Sequence, residues 1–252
     1  MFNGYLNRTV DFDGLAALPL FLSCRAAIRA KTSVTAAALT TGEPAAALYS
    51  AARDYLHAAV QLLQPPRPAL IAIGGLSGSG KSSLARRIAP SIGPVPGAVV
   101  LRSDELRKRL CGVGELTRLG TSGYMDEVSR LVYDMLAAHA ADVVRSGHNA
   151  VVDAVFLNHA DRAAIEGAAA LADVPFVGLW LDAPEGVLLD RIGHRGADAS
   201  DADAAVVRMQ LARDPGAITW DRLDASADEA RITRESIRVL ESRVPGEVTL
   251  AA

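Results

Sequence analysis

Residues 69–83 read Ala69-Leu70-Ile71-Ala72-Ile73-Gly74-Gly75-Leu76-Ser77-Gly78-Ser79-Gly80-Lys81-Ser82-Ser83, and the order of residue types here decides the fold. The apolar run at the start suits a strand buried on both faces. It passes directly into Gly-x-x-x-x-Gly-Lys-Ser, from Gly75 to Ser82, and then into Leu84-Ala85-Arg86-Arg87-Ile88-Ala89, which reads as a helix. Strand, glycine-rich turn and helix in that order make a phosphate-binding loop. The glycines let backbone N–H groups turn inward around an anion, and the helix adds the positive end of its dipole. Gly75, Ser77, Gly78, Ser79, Gly80, Lys81, Ser82 and Ser83 are therefore the expected nucleotide-contacting residues. Lys81 supplies a point charge for β- and γ-phosphates, and the Ser82 hydroxyl is placed to ligate Mg²⁺.

Beyond this loop, strand and helix patterns alternate. Strands are expected over 69–73, 98–102, 150–153 and 175–181. Helices are expected over 81–89, 104–110, 125–146, 159–171, 184–192 and 203–211, with a further one over 226–240. Such alternation calls for a mostly parallel sheet covered on both faces, an α/β three-layer sandwich of the P-loop NTPase type. Residues 1–64 differ: 15–30 and 44–63 carry helical apolar stripes and no glycine-rich loop or catalytic cluster. Gln64-Pro65-Pro66-Arg67-Pro68 then breaks any helix, which sets an N-terminal helical segment (1–64), a linker (65–68) and a P-loop domain (69–252).

The chain of 252 residues is half apolar, enough to bury a core, and its net charge of −3 gives no general attraction to nucleic acid or an anionic membrane. Cys24 and Cys111 lie far apart and suggest neither a metal site nor a disulfide framework. The apolar stretch 15–24 is short and follows Asp11 and Asp13, unlike a signal peptide, and no run is long enough to span a membrane. These features point to a cytoplasmic protein.

Open parallel sheets bind ligands at the carboxyl ends of their strands, so the residues closing each strand matter most. The second strand runs into Arg102-Ser103-Asp104-Glu105-Leu106-Arg107. Asp104 there has two readings: a base for an acceptor hydroxyl, or a cap for the helix that follows. The third strand closes on Asp153, a Walker B arrangement that steadies Mg²⁺ through water. The next residue is Ala154, not the glutamate with which motor-type ATPases activate water, which favours transfer to a bound acceptor over hydrolysis. Asn158 and Arg162 lie one helical turn apart and are expected to face a substrate. Arg191 and Arg195 share a helix face before a glycine-bearing polar segment near 191–203, the pattern of a lid.

As an ordered set, Gly75–Ser83, Arg102–Arg107, Val151–Asn158 with Arg162, and Arg191–Asp201 resemble the P-loop small-kinase group. That group includes polynucleotide kinases, chloramphenicol phosphotransferase, gluconate kinase and zeta toxins, and the pattern is most similar to its AAA-like predicted-kinase branch. The match covers residues 69–223. It implies ATP and Mg²⁺ as cofactors, with Ser82 and Asp153 on the metal. It further implies Lys81, Asp104, Arg191 and Arg195 as catalytic residues, with Asp104 the base, the two arginines on the phosphates, and Arg107 holding an anionic group of the acceptor. Residues 18–30 resemble the last helices of an aminoglycoside-phosphotransferase-like domain without its catalytic loops, so 1–64 is expected to be a helical remnant. Its apolar face suits coverage by the P-loop domain or by a second copy of the chain, making a homo-oligomer. The expected activity is transfer of the ATP γ-phosphate to a hydroxyl of a small-molecule acceptor. The alternatives are a 5′-hydroxyl polynucleotide kinase, disfavoured by the net charge, and a non-catalytic ATP-binding switch.

Overall fold

In the computed structural model, which describes residues 1–194 and 198–244, five strands form one parallel sheet. They are β1 (Leu70–Gly75), β2 (Val99–Arg102), β3 (Ala150–Asp153), β4 (Phe176–Asp182) and β5 (Asp221–Asp224), in the spatial order β2-β3-β1-β4-β5. The α/β sandwich implied by the sequence is therefore the fold. The sequence pattern missed β5, because Asp221-Arg222-Leu223-Asp224 is an edge strand with a single apolar residue.

Period-two alternation sorts the strand residues onto two faces. Ile71, Ile73, Val100, Val151, Val177, Leu179 and Leu181 join one buried cluster. Packed on them are α4 (Lys81–Ile88), through Leu84, Ala85 and Ile88, and α10 (Glu229–Arg243), through Ile232, Ile237 and Leu240. The opposite face is covered by α6 (Asp126–Arg145) and α7 (His159–Leu171). Three further helices, α5 (Ser103–Leu110), α8 (Glu185–Gly193) and α9 (Ala204–Leu211), stand at the carboxyl end of the strands or just beyond it. Trp220 belongs to the core: its ring packs 5.1 Å from Phe156 and 5.7 Å from Phe176, and Nε1 donates to Glu166 Oε1 at 2.6 Å. Gly178 has to be glycine beneath it, since a Cβ there would lie 2.3 Å from the indole.

The chain divides into two compact units, residues 11–66 and residues 1–10 with 67–252. The first ten residues thus depart from the single helical segment 1–64 read from sequence. They form α1 (Phe2–Thr9), and its Asn3 side chain does what a neighbouring strand would do for the free edge of β2. Asn3 Nδ2 donates to Ala98 O at 3.2 Å and Val100 N donates to Asn3 Oδ1 at 2.8 Å. Unit 11–66 is a hairpin of α2 (Leu18–Ala38) and α3 (Glu43–Leu62) whose contact is lined by Ala30, Ala37, Ala52 and Ala59. The Ser23 hydroxyl crosses the pair to Ala59 O at 2.8 Å. No helix among the described residues is long and apolar enough to cross a membrane.

Candidate active site

Strand order assembles the site. β1, β3 and β2 are adjacent, and their register sets Ile73 beside Asp153 and Asp153 beside Arg102. Asp153 and Arg102 therefore close their strands side by side, on the face that α4 covers. The phosphate loop leaves the end of β1 and re-enters the fold as α4, which brings Ser82 to the same point. Ser82 Oγ donates to Asp153 Oδ2 at 2.6 Å.

The loop has the backbone its glycines allow. Gly78 has φ of 86° and Gly80 has φ of 93°, values costly for any residue with a Cβ. At Gly78 there is also no room: a Cβ would lie 2.6 Å from Leu188 O, so α8 packs directly on the loop. Lys81 Nζ donates back to Leu76 O at 2.9 Å. Ser79 is buried and its hydroxyl lacks a protein partner among the described residues, a group left for a ligand oxygen to satisfy. The sequence reading missed Gln210 on α9, which accepts from Ser77 N at 2.9 Å and donates to Ser77 Oγ at 3.1 Å.

Asp104 lies within the first turn of α5 and is not its N-cap, which is Arg102, so the capping reading does not describe it. Its carboxyl is pushed above the usual carboxylate range, first by desolvation and then by the negative charge of Asp153. The Ser200 hydroxyl, Arg102 and Lys81 oppose that rise without cancelling it. A carboxyl with a raised pKa beside a phosphate loop is suited to take up a proton.

The other expected residues divide. Arg107 is buried, donates from Nη1 to Gly123 O at 2.8 Å and to Ser129 Oγ at 3.2 Å, and lies 4.9 Å from the Tyr124 ring centroid. Its Nε has no partner, and among the described residues it has no carboxylate partner either. Arg162, expected to face a substrate, is buried and gives Nη1 to Phe156 O and Leu157 O and Nη2 to Pro215 O and Ala217 O. These bonds also hold Phe156 at its positive φ of 51°. Asn158 is exposed at the start of α7 and donates to Asp161 Oδ2 at 3.0 Å, so its side-chain bonds and those of the buried Arg162 have no partner in common. Arg191 sits half-buried in the last turn of α8, and Arg195 lies outside the described residues.

The segment from Asp198 to Asp203, expected to be part of a lid, is fastened by its carboxylates to α4, the end of β2, α5 and the residues after α5. Asp198 meets Arg102 at 3.0 Å and Arg86 at 3.4 Å. Asp201 meets Lys108 at 2.6 Å and accepts from Leu119 N and the Tyr124 hydroxyl at 2.8 and 2.9 Å. Asp203 meets Arg118 at 3.1 Å and caps α9 through Val206 N. Burial and then the Asp201 bond raise the Tyr124 phenol above its ordinary value. The sequence assigns no role to Arg102, Lys108 or Asp198, because each is one charge among many until the fold pairs it.

Mg²⁺ fits the pair formed by Ser82 and Asp153. Both donors are hard oxygens, and this ion is commonly held by one or two protein oxygens with the rest of its shell from phosphates and water. A nest of three or more carboxylate, histidine or cysteine ligands is not needed, and none exists among the described residues.

Comparison with known proteins agrees with this geometry. Residues 70–214, more than half of the chain, match the AAA domain family (AAA_33). The chain belongs to this family. It is 30% identical over 245 residues to the uncharacterized protein Rv2004c of Mycobacterium tuberculosis and likewise to Mb2027c of Mycobacterium bovis, covering 96% of the chain and 48% of each relative. The chain thus spans about half the length of the curated relatives it matches. A sugar kinase structure from Janibacter sp. HTCC2649 superimposes with TM-score 0.53 at 19% identity, covering 73% of the chain and 99% of the kinase. The Mycobacterium tuberculosis APS kinase CysC, solved with AMPPNP and APS, does so with TM-score 0.51 at 24% identity, covering 70% and 99%. Among AAA domain proteins, then, this one shares its sheet and loop layout with small kinases.

Proposed function

We propose that the protein is an ATP- and Mg²⁺-dependent kinase that transfers the γ-phosphate to a hydroxyl of a small molecule. The observation that carries this reading is the meeting of three groups at neighbouring strand ends: the phosphate loop, the Ser82–Asp153 oxygen pair, and Asp104 with its raised pKa. In this reading the loop N–H groups and Lys81 bind the phosphate chain, and Ser82 and Asp153 hold the metal. When bound there, Mg²⁺ neutralises charge on the β- and γ-phosphate oxygens. Asp104 orients the acceptor hydroxyl and takes its proton as the new O–P bond forms and the bond to the leaving ADP oxygen breaks. Ser200 donates to the Asp104 carboxylate and holds it in place. Arg191, in the last turn of α8, adds positive charge toward the transferring group.

Arg107 narrows the acceptor class. A buried guanidinium with an unsatisfied Nε and, among the described residues, no carboxylate partner calls for an anion. The acceptor in this reading carries a phosphate, sulfate or carboxylate besides its reacting hydroxyl. The test is ATP consumption by the purified chain against a panel of sugars, sugar acids, phosphorylated sugars, nucleosides, aminoglycosides, chloramphenicol-like compounds and 5′-hydroxyl oligonucleotides. Stimulation by an anionic small molecule, with its KM raised at least tenfold by Arg107→Met and the ATP KM unchanged, supports the reading. Stimulation by oligonucleotides alone, or by no acceptor despite ATP binding, contradicts it.

A further inference from the structure

Arg102 is buried, and every one of its N–H groups has a partner. Nε donates to Asp153 Oδ2 at 3.1 Å. Nη1 donates to Glu105 Oε1 at 2.8 Å and Asp198 Oδ1 at 3.1 Å. Nη2 donates to Ser82 Oγ and to Asp198 Oδ2, both at 3.0 Å. Two of these acceptors, Ser82 Oγ and Asp153 Oδ2, are the oxygens assigned to Mg²⁺. The guanidinium therefore lies where it screens the metal ligands, and a divalent ion on the same oxygens would meet a positive charge at contact distance.

We propose that Arg102 is a tethered counter-cation of the metal site, competing with the divalent ion for Ser82 and Asp153, and that Asp198 is the carboxylate that draws it away. The inference rests on the assignment of Ser82 and Asp153 as metal ligands. Arg102 is thus a positioning residue, acting through the metal ligands.

Geometry favours an exchange over a fixed strut. Asp198 faces Arg102 as a fork, one oxygen to each terminal nitrogen, and keeps that grip whether or not Nε touches Asp153. Glu105 gives Nη1 a second hold away from the metal oxygens, and it is itself bonded by Asn7 of α1. Asp198 Oδ1 is also held by Arg86 at 3.4 Å and by Ala199 N at 2.8 Å. Burial pushes the Asp198 carboxyl up, but the Arg102 hydrogen bond and charge outweigh it and bring it down to about 2, so it stays charged throughout the working pH range. Arg102 therefore has two sets of partners, one shared with the metal and one not. Because Asp198 opens the fastened segment 198–203, metal loading would shift Arg102 wholly onto that segment and tighten it over Asp104.

The competition predicts effects of opposite sign. Mn²⁺ is the probe, titrated into the nucleotide-free full chain and followed by the electron paramagnetic resonance signal of the free ion, so no acceptor or turnover is needed. Removing the competing charge with Arg102→Gln should tighten Mn²⁺ binding about tenfold or more, the scale on which one adjacent charge moves an ionic equilibrium. Asp198→Asn removes the charge that draws Arg102 off the metal oxygens, leaves it to Ser82, Asp153 and Glu105, and should weaken Mn²⁺ binding about threefold or more by the same logic. Weaker or unchanged binding in Arg102→Gln, or a shift of the same sign in both variants, would overturn the proposal while leaving the kinase reading intact. If Arg102→Gln does not fold by circular dichroism, Asp198→Asn decides: weaker binding supports the competition, and unchanged or tighter binding refutes it. Failure of every form to bind Mn²⁺, even with ATP added, would remove the metal site and the proposal with it.

Discussion

Replacing Arg162 by methionine keeps the length and most of the apolar stem of the side chain and removes the fork that ties Phe156 and Leu157 to Pro215 and Ala217. Hydrogen bonds from a charged donor contribute about 1.5–3 kcal/mol each, so four of them set a ceiling of about 6–12 kcal/mol. Water entering the site and relief from burying a charge return part of this, and breaking a buried charged network costs about 3–5 kcal/mol in practice. That is a large share of the total stability of a domain, which is about 5–15 kcal/mol. Both tryptophans, Trp180 and Trp220, lie in the unit that Arg162 braces, so intrinsic fluorescence reports its unfolding directly. In urea, with a slope of about 2 kcal/mol/M, the midpoint should fall by about 1.5–2.5 M without a change in slope. At low denaturant the acceptor KM should stay near the wild-type value. A stability loss below about 1 kcal/mol joined to a large rise in acceptor KM would refute the bracing role and restore Arg162 to the substrate.

Other consequences follow from the same geometry. In the proposed reaction Asp104 is the base and its pKa is raised, so the transfer rate should climb with pH through a value above the ordinary carboxylate range, a profile read from kcat against pH. The same group should lower stability as pH rises: its contribution is full below the unfolded carboxyl value of about 3.9 and is lost through the raised folded value. Asp104→Asn should therefore melt higher than wild type at pH 7 and lose that advantage near pH 3.5. Gly78→Ala forces a Cβ to 2.6 Å from Leu188 O at a left-handed φ. It should cost about 2–4 kcal/mol by strain and overpacking. Calorimetry should also find weakened ATP binding; wild-type stability and affinity in that variant would contradict the packing of α8 on the loop.

The sheet was legible because its strands are buried on both faces, and an apolar run such as Leu70–Ile73 has no other comfortable home. The phosphate loop was legible because its glycines and Lys81-Ser82 are consecutive, so the motif needs no tertiary contact to be seen. β5 and α1 were not. Each is held by its neighbours rather than by its own periodicity, β5 by pairing to β4 and α1 by the Asn3 amide at the edge of β2. Arg162 shows the limit of spacing arguments: a residue four after Asn158 on a helix shares its general side, yet the backbone turn at Phe156 draws the guanidinium inward. Arg102 shows the converse. It belongs to a visible motif, but its pairing depends on Asp198, ninety-six residues away in sequence, whose carboxylate arrives only when the chain returns past α8.

The central claim is that Asp104 serves a transfer reaction fuelled at the neighbouring loop. It is tested most directly by measuring label from γ-³²P-ATP on the acceptor that stimulates turnover, in wild type and in Asp104→Asn, with ATP affinity measured in parallel. The account predicts that the substitution leaves ATP binding within about twofold and lowers transfer by about 10²–10⁴, the share a positioned general base contributes. Transfer at the wild-type rate in Asp104→Asn, with the label still reaching the acceptor, would contradict it.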